Sequence, residues 1–171
     1  MKILFDSQAF SNQRFGGVSR YFYEIISKIK SVENVRIFSP FFINEYAKNL
    51  DKEIIIGRHV YFQNKLLDKF IRLFNSTLDS KYANIYKPDI IHETFYYGNY
   101  NNSKTPHLAT CHDMIHELFP EYYKDDKYTT LAKRSCFNRV DKIIAISNKT
   151  KSDLINILNI PKEKIEVIYH G

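Results

Sequence analysis

The sequence predicts an α/β fold of the Rossmann type, with a mostly parallel sheet and helices on both faces. Short apolar runs alternate with longer amphipathic segments along the chain, which is the pattern of βαβ units. Most of the short runs are apolar throughout, as is typical of strands that helices cover on both sides. The length of 171 residues is sufficient for one domain with a substantial core, and we expect residues 1–171 to form it.

The first βαβ unit occupies the N-terminal part of the chain. The run KILFD, residues 2–6, is apolar and ends in an acid, which predicts a buried strand. Residues 18–30 carry apolar side chains at helical spacing and predict a helix. A second strand over 35–40 ends at Pro40. This succession implies parallel strands joined by a right-handed crossover.

The rest of the chain continues the alternation. Strands are predicted at 54–62, 89–93, 106–113, 141–147 and 164–171, and helices at 64–74, 124–139 and 148–158. Ser147 stands where it can cap the last of these helices. In open α/β sheets, ligands bind in the crevice beyond the carboxyl ends of the strands. The residues that follow each strand are therefore the candidates for a functional site.

The composition excludes several classes of protein. Apolar residues make up 44% of the chain and charged residues 26%, as in ordinary globular proteins. No apolar run reaches the roughly 18 residues that span a bilayer, and the N-terminal run stops at Asp6, too early for a secretory signal. We therefore expect a cytoplasmic protein. The net charge of +6 fits either a solvated surface or attraction to anionic partners, such as nucleotide phosphates or an acidic membrane face, and no nucleic-acid-binding motif is present.

Two adjacent glycines, Gly16 and Gly17, stand directly before the first predicted helix in the segment FGGVSRY. Without Cβ atoms a backbone can approach a ligand closely, and the N–H groups at a helix start suit an anion. The alternative is a turn that needs unusual backbone dihedral angles. The pair is neither a GxGxxG dinucleotide fingerprint nor a Walker loop. Arg20 follows within the helix, where it can meet negative charge, and we include it among the donor- or acceptor-binding candidates.

Polar side chains also follow two later strands. His112 and Asp113 follow the strand at 106–113, and a histidine there can bind a sugar hydroxyl or a phosphate or exchange protons. The alternative is a histidine of the core. Glu93 ends another strand and is followed by tyrosines that suit a sugar, the alternative being an ordinary surface loop. We include Glu93 among the donor- or acceptor-binding candidates.

A metal site is a further possibility, because His116 lies four residues after His112. The preceding strand and Pro120 disfavour a helix through 112–116, and no HExxH motif occurs, so we expect no metal. The two cysteines lack metal-binding spacing and are expected to be reduced structural thiols.

Taken together, these segments resemble the N-terminal half of family 4 retaining glycosyltransferases, which have two Rossmann-like domains in the GT-B architecture. The segments that carry the resemblance are GGVSRYFYEI, KPDIIHE, TCHDMIHELFPEYY and VDKIIAISNKTKSDLINILNIPKEKIEVIYHG. The last is the most specific, with a strand ending in AIS, a helix, a P-x-E-K-I turn and a second strand. The resemblance covers essentially the whole chain and is closest to mannosyltransferase-like members of bacterial surface-polysaccharide clusters.

The resemblance implies roles for individual residues. The glycine loop of these enzymes approaches the donor diphosphate and the acceptor, which would be the role of Gly16 and Gly17. His112 would contact a hydroxyl of the transferred sugar, with Asp113 beside it. Ser147 would face the cleft between the two domains. We therefore expect His112 and Asp113 to be the catalytic pair.

The resemblance also implies what surrounds this chain. It would be the acceptor-holding N-terminal domain, inactive alone, and the donor domain with its Arg/Lys pair and Glu-x7-Glu motif would be absent from it. The complete enzyme would transfer a sugar from a nucleotide-sugar to a saccharide or lipid-linked acceptor with retention, without a metal cofactor. The residues alone leave two alternatives open: a stand-alone α/β module that binds a nucleotide or a protein, and a metal-dependent hydrolase using His112, Asp113 and His116.

Overall fold

The computed structural model describes residues 1–60, 64–98, 100, 103–124 and 126–170, apart from the side chain of Lys65. The strands are β1 (Lys2–Phe5), β2 (Asn34–Phe42), β3 (Ile55–His59), β4 (Ile90–Glu93), β5 (His107–Cys111), β6 (Lys142–Ala145) and β7 (Ile165–Val167). The helices are α1 (Gln8–Asn12), α2 (Gly17–Ile29), α3 (Lys65–Tyr86), α4 (Ile115–Leu118), α5 (Lys127–Arg139) and α6 (Asn148–Leu158). Short 3-10 turns cover Ala47–Asn49 and Lys162–Lys164.

The chain forms two compact units. The first contains residues 1–94 and 98–106, and the second contains residues 95–97 and the chain from 107 onward. In the first unit four parallel strands lie in the order β3-β2-β1-β4. In the second unit three parallel strands lie in the order β5-β6-β7. The predicted α/β fold with parallel strands is therefore confirmed.

Helices cover both faces of the first unit's strands. Phe5 of β1 packs in one apolar cluster with Phe22 and Ile26 of α2. Leu4 belongs to a different cluster, which includes Ala83 of α3. Because successive side chains of a strand point to opposite faces, α2 and α3 lie on opposite sides of β1.

Helix α3 is longer than the helix predicted at 64–74. Its second half, NSTLDSKYANIY, packs Ala83 in an apolar cluster and buries two polar side chains, Asn75 and Asp79, as well. Asn75 accepts a hydrogen bond from the backbone N–H of Phe41 and donates one to its carbonyl oxygen, at 3.3 and 2.6 Å. Asp79 accepts from the Ser7 hydroxyl at 2.8 Å. Because two polar residues interrupt the buried row, the apolar periodicity predicted a helix that ended too early.

The core of the second unit is built from α5, α6 and the three strands. Phe137 of α5 and Leu154 of α6 are fully buried in one cluster with Ile143 of β6. Helix α6 occupies the predicted range 148–158, and Ser147 caps it as expected. Of the helices in the described parts of the chain, none has the length and hydropathy that a membrane crossing requires.

Several predicted element bounds were too long. Strand β3 ends at His59, whereas the predicted strand ran to residue 62. Residues 61–63 lie outside the described part of the chain. Strand β7 covers three residues of the predicted 164–171, and residue 171 also lies outside the described part. Helix α1 was not predicted, because its five residues are too few for a periodic pattern.

Candidate functional site

The glycine pair lies at the start of α2, as predicted. Gly16 is the N-cap residue, with φ −177° and ψ 155°, and Gly17 is the first helical residue. Both conformations are open to any amino acid, because the first is extended and the second is helical. The alternative of a turn that needs unusual dihedral angles is therefore wrong for these two positions.

The space in front of Gly17 is open. A Cβ atom added at Gly17 would have no atom of the described chain within 4 Å beyond its own neighbours. A Cβ atom at Gly16 would approach Oε1 of Gln13, at 1.7 Å, which is the end of a flexible side chain. Gly16, which has no side chain, is the N-cap residue of α2, so the cap residue itself offers no side-chain oxygen to the first N–H groups of the helix. The open space beside Gly17 is one that a ligand could enter.

Arg20 lies one turn into α2 and faces solvent. Its side chain is 68% exposed, and its Nε atom is 3.9 Å from Oε1 of Glu24. An exposed pair at this distance contributes little to stability. Arg20 can therefore turn toward an anion without breaking a strong contact.

Glu93 is buried rather than open. It is 1% exposed and belongs to a group of buried carboxyls with Asp6 at the end of β1 and Asp79 of α3. Asp6 accepts hydrogen bonds from the backbone N–H of Thr94 at 3.0 Å and from the side-chain amide of Gln8. Burial and the charge of Glu93 raise the pKa of Asp6 to about 6. The predicted contact of Glu93 with donor or acceptor stays a prediction.

Asp79 completes this carboxyl group. Burial, followed by the charge of Asp6, holds its pKa well above its usual range. The sequence missed the whole group, because Asp6, Asp79 and Glu93 are far apart along the chain. The available signals were the acids that end two predicted strands, Asp6 and Glu93.

His112 directly follows β5 in the second unit. Burial and the neighbouring His170, whose ring centroid is 6.0 Å away, lower the pKa of His112 to about 4. His112 is therefore neutral near pH 7. A neutral imidazole has one nitrogen that donates and one that accepts. Such a side chain suits the hydroxyl of a sugar, which can also do both.

Asp113 is held by a buried lysine that the sequence analysis missed. Lys133 of α5 has a side chain that is 1% exposed, and its Nζ lies 3.2 Å from Oδ1 of Asp113 and 3.1 Å from Oε2 of Glu117. Nζ also donates to the backbone carbonyl of Asp113 at 3.1 Å, and Asp113 Oδ1 accepts from the N–H of Ile115 at 3.2 Å. Asp113 thus fixes the segment after His112, and its predicted catalytic role stays a prediction.

The sequence did contain a signal for Lys133. The buried residues of α5 are Thr129, Lys133, Cys136 and Phe137, which recur at helical spacing. A lysine on that stripe must find a partner, because an unpaired buried charge is costly.

Ser147 is used locally. Its hydroxyl oxygen accepts from the backbone N–H of Thr150 at 3.1 Å and lies 3.0 Å from the Thr150 hydroxyl. Ser147 follows β6 and His112 follows β5, and these two strands are paired in parallel. Both residues therefore lie at the same edge of the second unit's strands.

The residues of the metal-dependent alternative are engaged elsewhere. Nε2 of His116 lies 3.2 Å from Oδ2 of Asp126, and its ring is tilted against that of Tyr123, with a centroid distance of 4.3 Å. In the described parts of the chain, no three His, Cys, Asp or Glu side chains are grouped as metal ligands. Cys111 and Cys136 are buried, and burial raises the pKa of Cys111 to about 12, as expected of structural thiols.

The second unit also contains an apolar cavity of about 380 Å³ beside α4, α5 and α6. Tyr123, Leu131 and Ile157 contribute apolar walls, and His116 lines it as well. None of the donor-, acceptor- or catalytic-site residues predicted from the sequence lines this cavity. The functional roles predicted for the glycine segment and for the segment around His112 stay predictions.

Comparison with known proteins gives one family. Residues 15–171 match the family model described as Glycosyltransferase Family 4. No curated protein sequence matches significantly. A solved glycosyltransferase from Rickettsia africae is 24% identical, with a TM-score of 0.58, over 99% of this chain and 43% of that protein.

Two further solved structures are similar. HepE of Anabaena, in complex with UDP and glucose, is 18% identical, with a TM-score of 0.63, over 100% of this chain and 44% of that protein. The apo form of WaaB, a lipopolysaccharide outer core galactosyltransferase, is 17% identical, with a TM-score of 0.60, over 100% of this chain and 46% of that protein. These structural likenesses show the fold, and the chain spans less than half the length of each protein.

Proposed function

Since this chain belongs to glycosyltransferase family 4, we propose that it is the acceptor-holding half of a retaining enzyme that transfers a sugar from a nucleotide-sugar. The observation that carries the proposal is the open space beside Gly17, the first residue of a helix whose N-cap residue is a glycine. The glycine pair lies within the residues that the family model matches, and the start of a helix is a favourable place to bind an anion.

The glycine segment would act on the charge that develops during transfer. When the bond between sugar and diphosphate breaks, negative charge grows on the leaving group. Preorganised N–H donors and positive groups stabilise that charge without rearranging. Gly16 and Gly17 allow the close approach, and Arg20 adds a positive charge one turn into α2.

His112 would orient the sugar. Its imidazole is neutral near pH 7, so it can hold a hydroxyl without bringing a charge into the site. Asp113, fixed by Lys133, keeps the segment after β5 in place. Ser147 at the neighbouring strand end would line the cleft toward the donor domain.

The substrates follow from the family. A nucleotide-sugar donor is supported by HepE, whose structure was solved with UDP and glucose. The acceptor would be a saccharide or a lipid-linked saccharide, and the product a surface polysaccharide. Mannose as the transferred sugar, action on the cytoplasmic side and contact with an anionic membrane face belong to the same proposal, as does inactivity of this half alone.

The test begins with the natural reading frame that contains these residues. The proposal expects it to continue into a donor domain with a Glu-x7-Glu motif, and expects that whole protein to transfer sugar from one member of a nucleotide-sugar panel. His112→Ala in that protein should lower kcat/KM about tenfold, since leaving a buried hydrogen-bonding group without its partner costs about 1–3 kcal/mol.

Two results would contradict the proposal. A reading frame without a donor domain would favour a stand-alone binding module. Unchanged transfer by the folded His112→Ala protein would remove His112 from the site. Ser135→Ala, at an exposed position of α5, is the matched control and should leave transfer unchanged.

A further inference from the structure

Three aromatic side chains of the second unit stack in a row. The ring centroids of Phe95 and Tyr97 are 5.6 Å apart, with their planes inclined by 24°. Those of Tyr97 and Tyr128 are 5.4 Å apart, and their planes differ by only 9°. Phe95 and Tyr97 follow β4 along the chain, and Tyr128 is the second residue of α5. We call Phe95, Tyr97 and Tyr128 the aromatic row.

The outermost ring of the aromatic row, that of Tyr128, has an open face. Tyr97 stacks against one face of this ring, and Tyr128 is nevertheless 70% exposed. A tyrosine ring is a large flat apolar surface with a polar tip, and it loses little conformational entropy when it binds a ligand. The open face of Tyr128 is therefore a ready surface for a ligand that has a flat apolar side.

Hydrogen bonds hold the aromatic row in place. The hydroxyl of Thr129, which is 8% exposed, donates to the carboxylate of Asp126 at 2.8 Å. Because that hydroxyl has a single proton, its oxygen accepts from the Tyr97 hydroxyl, 3.0 Å away. Tyr97 is thus fixed to the first turn of α5, beside Tyr128. A surface that is fixed before binding loses less freedom on binding, which raises affinity.

The aromatic row is joined to the segment that contains His112. Tyr96, the middle residue of 95–97, is buried, and its hydroxyl is hydrogen-bonded to the backbone of His112. The other end of the row lies on α5, where Lys133 pairs with Asp113. Both ends of the aromatic row are therefore anchored to the two residues that directly follow β5.

We propose that the aromatic row is a subsite for the acceptor saccharide, in which a pyranose ring stacks on the open face of Tyr128. A pyranose ring presents a face of C–H bonds, and the negative face of an aromatic ring attracts such positively polarised groups. Its hydroxyls can donate to the carboxylate of Asp126, two residues before Tyr128, whose side chain is 47% exposed. The subsite thus offers both an apolar face and a polar acceptor, as a sugar requires.

The location favours the acceptor over the donor. His112 is the residue proposed to orient the transferred sugar, so a second sugar bound beside it is the one that receives the transfer. The inference deepens the proposed function and rests on it for its biological meaning. It names a pyranose-containing saccharide as the acceptor and Tyr128 as a residue that selects it.

Binding of methyl pyranosides tests the subsite without any sugar transfer, so it can fail independently of the proposed function. Saturation-transfer NMR with the whole protein that contains these residues should show binding of the methyl glycoside of glucose, galactose or mannose. Tyr128→Ala should weaken the Kd of the best of these probes at least about fivefold, because the ring contact is lost. Tyr128→Phe, which keeps the ring, should stay within about twofold of the native protein.

Tyr122→Ala is the matched control, because Tyr122 is 79% exposed and lies outside the aromatic row. It should bind the best probe like the native protein. In the transfer assay, Tyr128→Ala should raise the KM for the methyl glycoside at least about fivefold and leave the KM for the nucleotide-sugar unchanged. Circular dichroism checks the fold, and if Tyr128→Ala unfolds, Tyr128→Leu, which is apolar but has no flat ring, should show the same loss.

Three outcomes would overturn the proposal. The native protein could bind none of the methyl glycosides. Tyr128→Ala could bind the best probe as tightly as Tyr122→Ala does. A raised KM for the nucleotide-sugar in Tyr128→Ala, with binding of the glycosides unchanged, would show that the base of the nucleotide stacks on the aromatic row instead.

Discussion

His112 is the residue whose ionisation most directly reports its surroundings. Its pKa is about 4 in the folded chain, against 6.5 for an ordinary histidine. Between these values the unfolded chain binds more protons than the folded one. The stability that neutral His112 contributes is therefore fully present above pH 6.5 and is lost as pH falls toward 4.

Urea unfolding of His112→Gln and of the native chain, measured as a function of pH, tests this. Glutamine does not titrate, so the variant should lose less unfolding free energy than the native chain as pH falls from about 6.5 to about 4. The difference between the two profiles isolates His112 from other groups that titrate in this range. Parallel profiles would mean that His112 is not held neutral by the fold.

The pKa of Asp79 is raised by the fold, whereas that of His112 is lowered. Its pKa is raised well above 3.8 by burial and by Asp6, so the folded chain holds a proton that the unfolded chain releases. Stability is therefore greatest below the unfolded pKa and falls as pH rises through the folded one. Asp79→Asn keeps an acceptor for the Ser7 hydroxyl and removes this loss.

We expect Asp79→Asn to raise the unfolding free energy by about 1 kcal/mol or more at pH 8 and by less at pH 5, since one pKa unit is about 1.36 kcal/mol. Thermal or urea unfolding at the two values measures it. Glu24→Gln, on the exposed face of α2, serves as the control and should change little. An equal gain in unfolding free energy at pH 5 and pH 8 would show that Asp79 is not protonated in the folded chain.

At the scale of elements, Lys133 joins α5 to α4 through Glu117 and to the end of β5 through Asp113. We expect Lys133→Met to lower the unfolding free energy by about 3–5 kcal/mol, because it leaves the buried Glu117 carboxylate unpaired. Lys133→Met/Glu117→Gln should recover most of that loss. Lys127→Met, at an exposed position of the same helix, should stay within about 0.5 kcal/mol. If the double variant lost as much unfolding free energy as the single variant, the loss would come from packing and not from the unpaired charge.

The sequence predicted those elements whose apolar residues follow a helical or strand pattern. Helix α6 was found at its observed bounds because an N-cap serine and an apolar face agree there. The second half of α3 was missed because Asn75 and Asp79 anchor it through hydrogen bonds. Helix α1 was missed because its five residues are too few to show a helical repeat of apolar side chains.

Part of the candidate site could be predicted from the sequence and part could not. The position of Gly16 and Gly17 at a helix start followed from the sequence, as did the placement of His112 after a strand. The buried carboxyl group and the Lys133 contacts did not, since they join residues far apart along the chain. The residue pattern of one segment does not indicate which distant segment packs against it in the folded chain.

For the whole molecule, the fold matches one half of a GT-B glycosyltransferase, and the structures it resembles are more than twice as long. Each of the two units has parallel strands whose carboxyl ends carry predicted site residues. The account therefore depends on whether these strand ends serve sugar transfer.

Substitution at Gly17 in the whole transferase tests this claim most directly. A side chain there meets open space in the described chain, so Gly17→Ala and Gly17→Val should leave the unfolding free energy within about 1 kcal/mol. The account predicts that kcat/KM for sugar transfer nevertheless falls in the order Gly, Ala, Val, at least about tenfold for valine. Native kinetics in a stably folded Gly17→Val enzyme would contradict it.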